Sequence, residues 1–360
     1  MKLALCAYLH GSGGAERQIT MLANAMADRE HEVHFLVLSE FNKKYEISHL
    51  VHVHDLTNEE KKSIHPIIGR YKALKRAYKE IKPDCTIHYN LQSAYLTAAM
   101  PKKVYCKSIY SERGDPYDKE YDGLLGKIRN WCIKSIDGFM FQSEGARDFF
   151  DAEVVKRSVV IHNSVSVPVE KFPMPDNRDN RIVSVGRLHE QKNQALLIDA
   201  FAQIAGEFPE CTLENYGDGV LRESLQQKID LLGLTDRIKL MPACKDVFSA
   251  IRTAQLFVLS SDFEGMPNAL MEAMALGLPC VTTDCRPGGA RTLVADGENG
   301  FIVPRMNANA LADKMRYVLS HPEVADAIAQ GGRRIAETHT EKIIFDKWEK
   351  FIKDVIQNDN

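Results

Sequence analysis

The stretch "KLALCAYLHGSGGAERQITMLANAMADREHEVHFLVLS" (residues 2–39) decides the fold that the sequence predicts. A strand-length apolar run opens it, the glycine-rich turn "HGSGGAE" follows, and an amphipathic helical pattern leads into a second apolar run. This order of strand, turn, helix and strand is typical of a parallel, right-handed βαβ unit. Because ligands bind beyond the carboxyl ends of such strands, the glycine-rich turn is the first candidate for a binding loop.

The same alternation continues along the chain and restarts after a segment that contains three prolines, "VPVEKFPMPDNRDN" (167–180). Its prolines and mixed charge indicate a linker. Strands alternating with helices on both sides predict an α/β protein with two doubly wound domains that face each other across a cleft. The predicted parts are an N-terminal domain (1–165), a linker (166–180), a second domain (181–340) and a C-terminal helix (341–360).

Composition argues against several classes of protein. The 360 residues carry a formal net charge of -3, which gives no indication of wholesale nucleic-acid binding. The eight cysteines form no C-x-x-C pair, and several lie in apolar runs, as expected for reduced core thiols rather than for disulfides or a zinc site. No signal peptide is visible, and no stretch approaches the ~18 apolar residues of a membrane span. We therefore expect a cytoplasmic protein, with the inner face of the plasma membrane as an alternative location.

Two of the predicted turns carry glycines where a ligand could approach the backbone. Gly13 and Gly14 lie in "GSGGAER" (11–17), where free N–H groups and a helix N-terminus suit a phosphate. Gly217 lies in "YGDG" (216–219), which also follows a predicted strand. Either turn could equally reverse the chain without binding anything.

A third turn, "SVGRLHEQKNQ" (184–194), adds positive charge. Gly186 ends the predicted strand, and Arg187 and Lys192 flank a loop just before a predicted helix. A guanidinium and an ammonium that converge at a helix N-terminus would clamp a diphosphate. The alternative is two solvated loop cations.

Two carboxylates bracket a predicted helix start in "SSDFEGMPNALMEAMALGLPCV" (260–281). Pro267 fits the first helical position, so Glu264 should lie in the preceding loop and Glu272 inside the helix. Ionised carboxylates accept hydrogen bonds from vicinal hydroxyl groups, which makes a sugar their natural partner. Glu264 could instead compensate the charge of the helix terminus, and Glu272 could face solvent.

Taken in order, "GSGGAER", "GRLHEQKN", "YGDG", "SSDFEGMPNALMEAMALGLPCVTTD" and "GENGFIVP" resemble the retaining GT-B glycosyltransferases of glycosyltransferase family 4. The resemblance spans nearly the whole chain and is strongest to bacterial enzymes that extend lipid-linked or capsular oligosaccharides. It implies two Rossmann-like domains, of which the first binds the acceptor and the second binds the nucleotide sugar. It also implies that the last helix returns to the N-terminal domain.

The resemblance implies a role for each matching residue. Arg187 and Lys192 would hold the diphosphate and stabilise charge on the departing phosphate. Glu264 would bind hydroxyls of the transferred sugar, and Glu272 would bind the ribose. The implied catalytic residues are Arg187, Lys192 and Glu264. The other implied donor-binding residues are Gly13, Gly14, Gly186, Gly217, Gly265, Met266, Pro267 and Asn268.

One position departs from the family pattern. Several relatives carry a histidine after a "SE" pair, whereas this chain reads "SERGDPYD" (111–118) and has Arg113 there. A histidine role cannot be carried over, so Glu112, Arg113 and Asp115 are candidates for the acceptor site. A structural ion pair within the loop is the alternative for each.

The expected function is retaining transfer of a hexose or N-acetylhexosamine from a UDP-sugar to a hydroxyl of a lipid-linked glycan, in surface polysaccharide or glycoconjugate synthesis. UDP is preferred on family frequency, and GDP- or ADP-sugars stay open. A nucleotide-sugar epimerase or hydrolase, or a non-enzymatic nucleotide-sugar-binding protein, is the alternative. No metal site is evident, and no cofactor beyond the nucleotide sugar is expected.

Two amphipathic segments complete the predictions. "KKSIHPIIGRYKALKRAYKEIK" (61–82) has eight Lys/Arg and one Glu, so it could lie on anionic lipid or meet the diphosphate of a lipid-linked acceptor. Alternatively, its apolar stripe packs on the N-terminal sheet. The C-terminal "EKIIFDKWEKFIKDVI" (341–356) places its apolar residues on roughly one side, which indicates core packing.

Overall fold

A computed structural model describes residues 1–7, 13–38, 45–57, 65–118 and 123–358. The chain divides into two compact units: Met1–Ser164 with Lys342–Asn360, and Val165–Glu341. In the described ranges, no helix is long and apolar enough to span a membrane.

The first unit is built on a seven-stranded parallel sheet in the order β3-β2-β1-β4-β5-β6-β7. The chain moves outward from β1 to β3 and then returns to β4, so the strand order reverses between β1 and β4. The strands are β1 (Lys2–Ala7), β2 (Glu32–Val37), β3 (Val51–Asp55), β4 (Cys85–His88), β5 (Lys107–Ser111), β6 (Gly138–Phe141) and β7 (Ser158–Val160). The helices are α1 (Gly14–Asp28), α2 (Pro66–Ile81), α3 (Leu91–Ala98), α4 (Leu124–Ile133), α5 (Glu144–Arg147) and α6 (Ala152–Lys156).

The second unit contains a six-stranded parallel sheet in the order β10-β9-β8-β11-β12-β13. Here the strand order reverses between β8 and β11. The strands are β8 (Asp179–Val185), β9 (Thr212–Tyr216), β10 (Ile238–Met241), β11 (Ala254–Leu259), β12 (Cys280–Thr283) and β13 (Phe301–Val303). The helices are α7 (Gln194–Ile204), α8 (Arg222–Leu231), α9 (Val247–Ile251), α10 (Asn268–Ala275), α11 (Gly289–Leu293), α12 (Ala308–Ser320), α13 (Pro322–Arg333) and α14 (Ile335–Thr338).

The predicted linker differs from what the structure has. Strand β8 begins at Asp179, inside the range 166–180, and Val169–Lys171 forms a short 3-10 helix. Val165 and Val167 are buried in the core of the second unit. The valines bury apolar surface there, so the proline-containing segment is a packed part of this unit rather than a free connection.

The last helix, α15 (Glu341–Gln357), packs on the sheet of the first unit. Its buried side chains are Ile344, Phe345, Trp348, Ile352 and Val355. They share one core with Leu3, Leu5 and Phe35, so the predicted core packing of this stripe is confirmed.

Helix α2, which lies in the basic segment 61–82, has some apolar residues buried in the core and others exposed at the surface. Residues 61–64 lie outside the described residues. In α2, Leu74, Tyr78 and Ile81 are buried, whereas Ile67 and Ile68 near its start are exposed. The predicted packing on the sheet therefore holds for the later turns only.

All eight cysteines are free, and six of them are buried, as predicted for core thiols. Burial raises the pKa of the Cys6 thiol to about 12, so this thiol stays protonated and inert near neutral pH.

Candidate active-site residues

The predicted charged residues of the second unit follow strands at the reversal point of its sheet. Lys192 ends a short 3-10 helix (Glu190–Lys192) in the loop after β8, and Glu264 lies in the loop after β11. Strands β8 and β11 are parallel neighbours, so their carboxyl ends meet at one edge. Open α/β sheets bind ligands at this kind of point.

Lys192 and Glu264 form an ion pair between Nζ and Oε1, with side chains only 16% and 9% exposed. Ser261 Oγ donates a 2.8 Å hydrogen bond to the same Oε1. Within the described part of the chain, the other carboxylate oxygen, Oε2, accepts only a long 3.5 Å hydrogen bond, from Gln191 Nε2. Since a carboxylate can accept about four hydrogen bonds, Glu264 retains acceptor capacity for a ligand.

Hydrogen bonds fix the two loops to one another. The backbone N–H of Asp262 donates to Gln191 O at 2.9 Å, and Gln191 Nε2 donates to Phe263 O at 3.0 Å. Asn193 Nδ2 donates to the Asp262 carboxylate at 3.1 Å. Gln191, Ser261 and Asp262 were not singled out from the sequence, although Ser261 and Asp262 stand within "SSDFEG" and Gln191 stands beside Lys192.

Helix α10 starts at Asn268 rather than at Pro267, so the predicted helix start is wrong by one residue. Pro267 has ψ 89°, which is not helical, and it occupies the N-cap position without a side-chain capping hydrogen bond. Gly265 lies two residues before Pro267, and its carbonyl oxygen is close to Gly289. A Cβ at position 289 would come within 2.3 Å of that oxygen. A glycine at 289 therefore allows the start of α11 to pack closely against the loop that contains Gly265.

Two further residues of this segment are enclosed, whereas Asn268 is only partly buried. Met266 is buried, and Glu272, in the second turn of α10, is 9% exposed. Burial of Glu272 rules out the alternative in which it simply faces solvent. A carboxylate held in such a position has to be matched by polar groups.

Arg187 is arranged differently from Lys192. Its side chain is exposed, while its carbonyl oxygen accepts a 2.8 Å hydrogen bond from Gln194 Nε2. No hydrogen bond or ion pair of the guanidinium is present among the residues that the structure describes. The structure thus brings Lys192 and Glu264 together, whereas the Arg187 side chain is exposed to solvent.

Packing accounts for the glycines of the two neighbouring turns. Gly217 has φ 153°, and a Cβ there would lie 2.0 Å from the Gly186 carbonyl oxygen. A Cβ on Gly186 would lie 3.2 Å from Lys192 Cε. These glycines let the "YGDG" turn and the Lys192 side chain approach the backbone that carries Arg187.

In the first unit, Gly13 and Gly14 stand at the start of α1, while residues 8–12 of the same turn lie outside the described residues. The Gly13 N–H donates a 2.9 Å hydrogen bond to Glu16 Oε2. Glu16 therefore caps this helix N-terminus, and a ligand would have to displace it to reach that N–H.

The acceptor-site candidates follow β5 and are held by other residues of the first unit. Glu112 is buried and accepts 2.9 Å hydrogen bonds from Tyr110 Oη and from the Gly114 N–H. Burial raises the pKa of Glu112. Asp115 Oδ1 accepts a 3.0 Å hydrogen bond from the Tyr117 N–H, a contact within the loop.

Arg113 lies against aromatic rings rather than in a loop ion pair. Its guanidinium carbon lies 3.9 Å from the centroid of the Tyr89 ring and 5.9 Å from that of Trp348. Nη1 donates a 2.9 Å hydrogen bond to Asn163 Oδ1. Burial lowers the pKa of Arg113. These contacts favour a structural role for Arg113.

In the described part of the chain, no group of three or more His, Cys, Asp and Glu side chains is arranged to hold a metal ion.

Comparison with known families decides what kind of protein carries this site. Residues 12–167 match the model of Glycosyltransferase Family 4, and residues 166–335 match the model of Glycosyl transferases group 1. The chain belongs to glycosyltransferase family 4. The predicted enzyme class, a hexosyltransferase, is therefore confirmed.

This glycosyltransferase has relatives in bacteria and archaea. It is 27% identical to an uncharacterized glycosyltransferase of Methanocaldococcus jannaschii over 81% of this chain and 78% of the relative. It is 26% identical, over 99% of each chain, to the Campylobacter jejuni GalNAc-alpha-(1->4)-GalNAc-alpha-(1->3)-diNAcBac-PP-undecaprenol alpha-1,4-N-acetyl-D-galactosaminyltransferase.

The structure of HepE from Anabaena in complex with UDP-glucose superposes with a TM-score of 0.79, at 20% identity, over 98% of this chain and 100% of that one. At this identity the likeness concerns the fold, and the predicted GT-B fold of the family 4 enzyme is confirmed.

Proposed function

We propose that this glycosyltransferase moves a hexose or N-acetylhexosamine from a UDP-sugar to a hydroxyl of a lipid-linked glycan, with retention of configuration. The observation that carries the proposal is the Lys192–Glu264 pair, which lies at the reversal point of the second sheet. Support also comes from the Campylobacter jejuni relative, whose name includes a PP-undecaprenol-linked glycan, and from the UDP-glucose bound to HepE.

The pair suits the two ends of a sugar diphosphate. The Lys192 ammonium has three N–H donors, so it can keep one on Glu264 and direct others to a phosphate oxygen. Glu264 Oε2 can accept a hydrogen bond from a hydroxyl of the transferred sugar. Arg187, exposed and without an ion pair among the described residues, can turn toward the same diphosphate, and buried Glu272 can accept from the ribose.

In the proposed reaction, the bond between the anomeric carbon and the diphosphate oxygen breaks while the acceptor oxygen attacks from the same face. The acceptor proton passes to the departing phosphate oxygen, so no separate nucleophile is needed. Lys192 and Arg187 stabilise the negative charge that grows on the diphosphate. These two cations supply the positive charge there, so we propose that transfer needs no divalent metal ion.

We further propose that the enzyme works on the cytoplasmic side, where nucleotide sugars are made, and at the inner face of the plasma membrane. Helix α2 supports the second part. Its basic residues can interact with anionic lipid headgroups or with the diphosphate of the acceptor, and Ile67 and Ile68 are exposed at its start.

The test is transfer to a polyprenyl-diphosphate-linked glycan from a panel of UDP-, GDP- and ADP-sugars, with and without EDTA. We expect one UDP-sugar to be used, unchanged rates in EDTA, and an α-linked product from an α-linked donor by NMR. Glu264→Ala and Lys192→Ala should abolish transfer, whereas Glu207→Gln, at an exposed carboxylate of the same unit, should not.

Three outcomes would contradict the proposal. Steady nucleotide release that no acceptor accelerates would indicate a hydrolase. Conversion of the donor to its epimer would indicate an epimerase. Tight donor binding without any turnover, for every acceptor tested, would favour a binding protein.

A further inference from the structure

Helix α4 exposes an apolar stripe that the proposed chemistry does not use. Leu124 is 72% exposed, Ile128 36% and Trp131 58%. Their spacing of four and three residues places them on one face of the helix. Large apolar side chains that are contiguous and exposed mark a surface for association.

The opposite face of α4 is buried, and its contacts hold the helix with the apolar stripe facing outward. Arg129 is buried, its guanidinium carbon lies 4.8 Å from the centroid of the Phe149 ring, and Nη1 donates to Pro116 O at 3.3 Å. Cys132 and Ile133 are also buried. The inner face is therefore anchored in the first unit, and the stripe points away from that core.

The charges around the stripe suit an anionic lipid surface better than another protein. Residues 123–135 contain Lys127, Arg129 and Lys134 but no acidic residue, and both lysines are exposed. Lysine is depleted from protein–protein interfaces. Tryptophan beside lysines, by contrast, is typical of helices that lie in the headgroup region of a bilayer.

Helix α2, in the same helical layer, also carries exposed apolar and basic residues. Helix α3 packs against both α2 and α4, so the three lie side by side on the first sheet. The start of α2 adds exposed Ile67 and Ile68, and its sequence adds five Lys/Arg between Arg70 and Lys79. Apolar and basic groups thus recur across this layer.

We infer that Leu124, Ile128 and Trp131 insert into the headgroup region of an anionic bilayer and hold the first unit at the membrane. The inference rests on the proposed function only for the lipid nature of the acceptor. Binding to vesicles can be measured without donor or acceptor, so the two ideas can fail separately.

The two tryptophans of the chain make the test direct, because Trp131 is exposed and Trp348 is 2% exposed. Adding phosphatidylglycerol vesicles to the full-length enzyme should shift tryptophan emission to shorter wavelength and cause co-sedimentation. Trp131→Phe should remove the shift but retain binding. Leu124→Glu combined with Trp131→Glu should weaken binding at least ~10-fold, since two apolar side chains that the bilayer would bury are lost.

Leu231→Glu is the matched control, since Leu231 is 88% exposed in the second unit, and it should bind vesicles like the wild type. Equal vesicle binding by the double variant and the wild type would overturn the inference. So would a dimer, seen by analytical ultracentrifugation, that the double variant dissociates without any change in vesicle binding. Transfer to a short soluble acceptor should be unchanged in the double variant, which separates membrane docking from catalysis.

Discussion

Lys192 and Glu264 come from loops that follow neighbouring parallel strands, and their charged groups form an ion pair that is largely shielded from solvent. A carboxylate that already holds a lysine and a serine hydroxyl is fixed in place before any ligand arrives. Such preorganisation makes charge stabilisation effective at the moment of reaction.

The first prediction separates the structural from the catalytic contribution of this pair. Lys192→Met or Glu264→Gln alone should lower the free energy of unfolding by about 3 kcal/mol, because each leaves a shielded charge unmatched. Each should also lower kcat by roughly 10²- to 10³-fold. Urea unfolding and steady-state kinetics with a UDP-sugar measure the two effects.

The double variant is the decisive comparison. Lys192→Met with Glu264→Gln should recover most of the stability but none of the activity. Arg316→Ala removes an exposed ion pair to Glu207 and should change either quantity little. Recovery of activity in the double variant would show that the pair only holds the loops together.

The second prediction concerns the contact between the "YGDG" turn and the Arg187 loop. Gly217→Ala would place a Cβ 2.0 Å from the Gly186 carbonyl oxygen, so one of the two loops has to move. We expect the KM for the donor to rise more than kcat falls, together with lower stability. Gly206→Ala, whose Cβ would meet nothing within 4 Å, should leave both unchanged, and an unaffected KM in Gly217→Ala would contradict the prediction.

Much of the architecture could be predicted because both sheets are parallel. Strands such as β1 and β11 are covered on both faces, so they read as continuous apolar runs. Strand β3, "VHVHD", was missed because it lies at the edge of its sheet and alternates valine with half-exposed or exposed histidine. Strand β5 begins only at Lys107, within the stretch "KVYCKSIYS" (103–111), because Lys102–Val104 forms a 3-10 helix and Cys106 has φ 61°.

The residues of the site also differ in how much of their arrangement the sequence predicts. That Lys192 and Glu264 would stand at adjacent strand ends follows from topology. The hydrogen bonds of Gln191 and Ser261 depend on rotamers, which the sequence pattern does not specify. The position of Arg113 over Tyr89 depends on Trp348 of the last helix, a contact between residues far apart in sequence.

The third prediction tests Arg113 as a structural rather than an acceptor-binding residue. Arg113→Met retains an unbranched apolar side chain but removes the guanidinium that contacts Tyr89 and donates to Asn163. It should destabilise the enzyme by roughly 2 kcal/mol and leave the acceptor KM unchanged. Arg113→Lys should rescue stability only in part, since an ammonium cannot stack as a planar guanidinium does. A higher acceptor KM with unchanged stability would assign Arg113 to the acceptor instead.

The fourth prediction is a loss of stability in mild acid that depends on His88. This residue is fully buried at the end of β4, where it hydrogen-bonds Ser93 Oγ at 3.1 Å and Thr86 Oγ1 at 3.3 Å. Burial lowers the pKa of His88 to about 3, from about 6.5 in an unfolded chain. Below pH 6.5 the unfolded state therefore binds a proton that the folded state excludes, so the free energy of unfolding falls as the pH falls toward 3.

The slope due to this one group should approach about 1.4 kcal/mol per pH unit below pH 6. Urea unfolding of the wild type and of His88→Asn at pH 7.5, 6.5 and 5.5 measures it, and the variant should show the smaller fall. His49→Asn, at an exposed histidine, should retain the wild-type slope. The variant will not become independent of pH, because burial also lowers the pKa values of His34 and His54, which hydrogen-bond each other on β2 and β3. Equal slopes for His88→Asn and the wild type would mean that the folded protein admits a proton at this position.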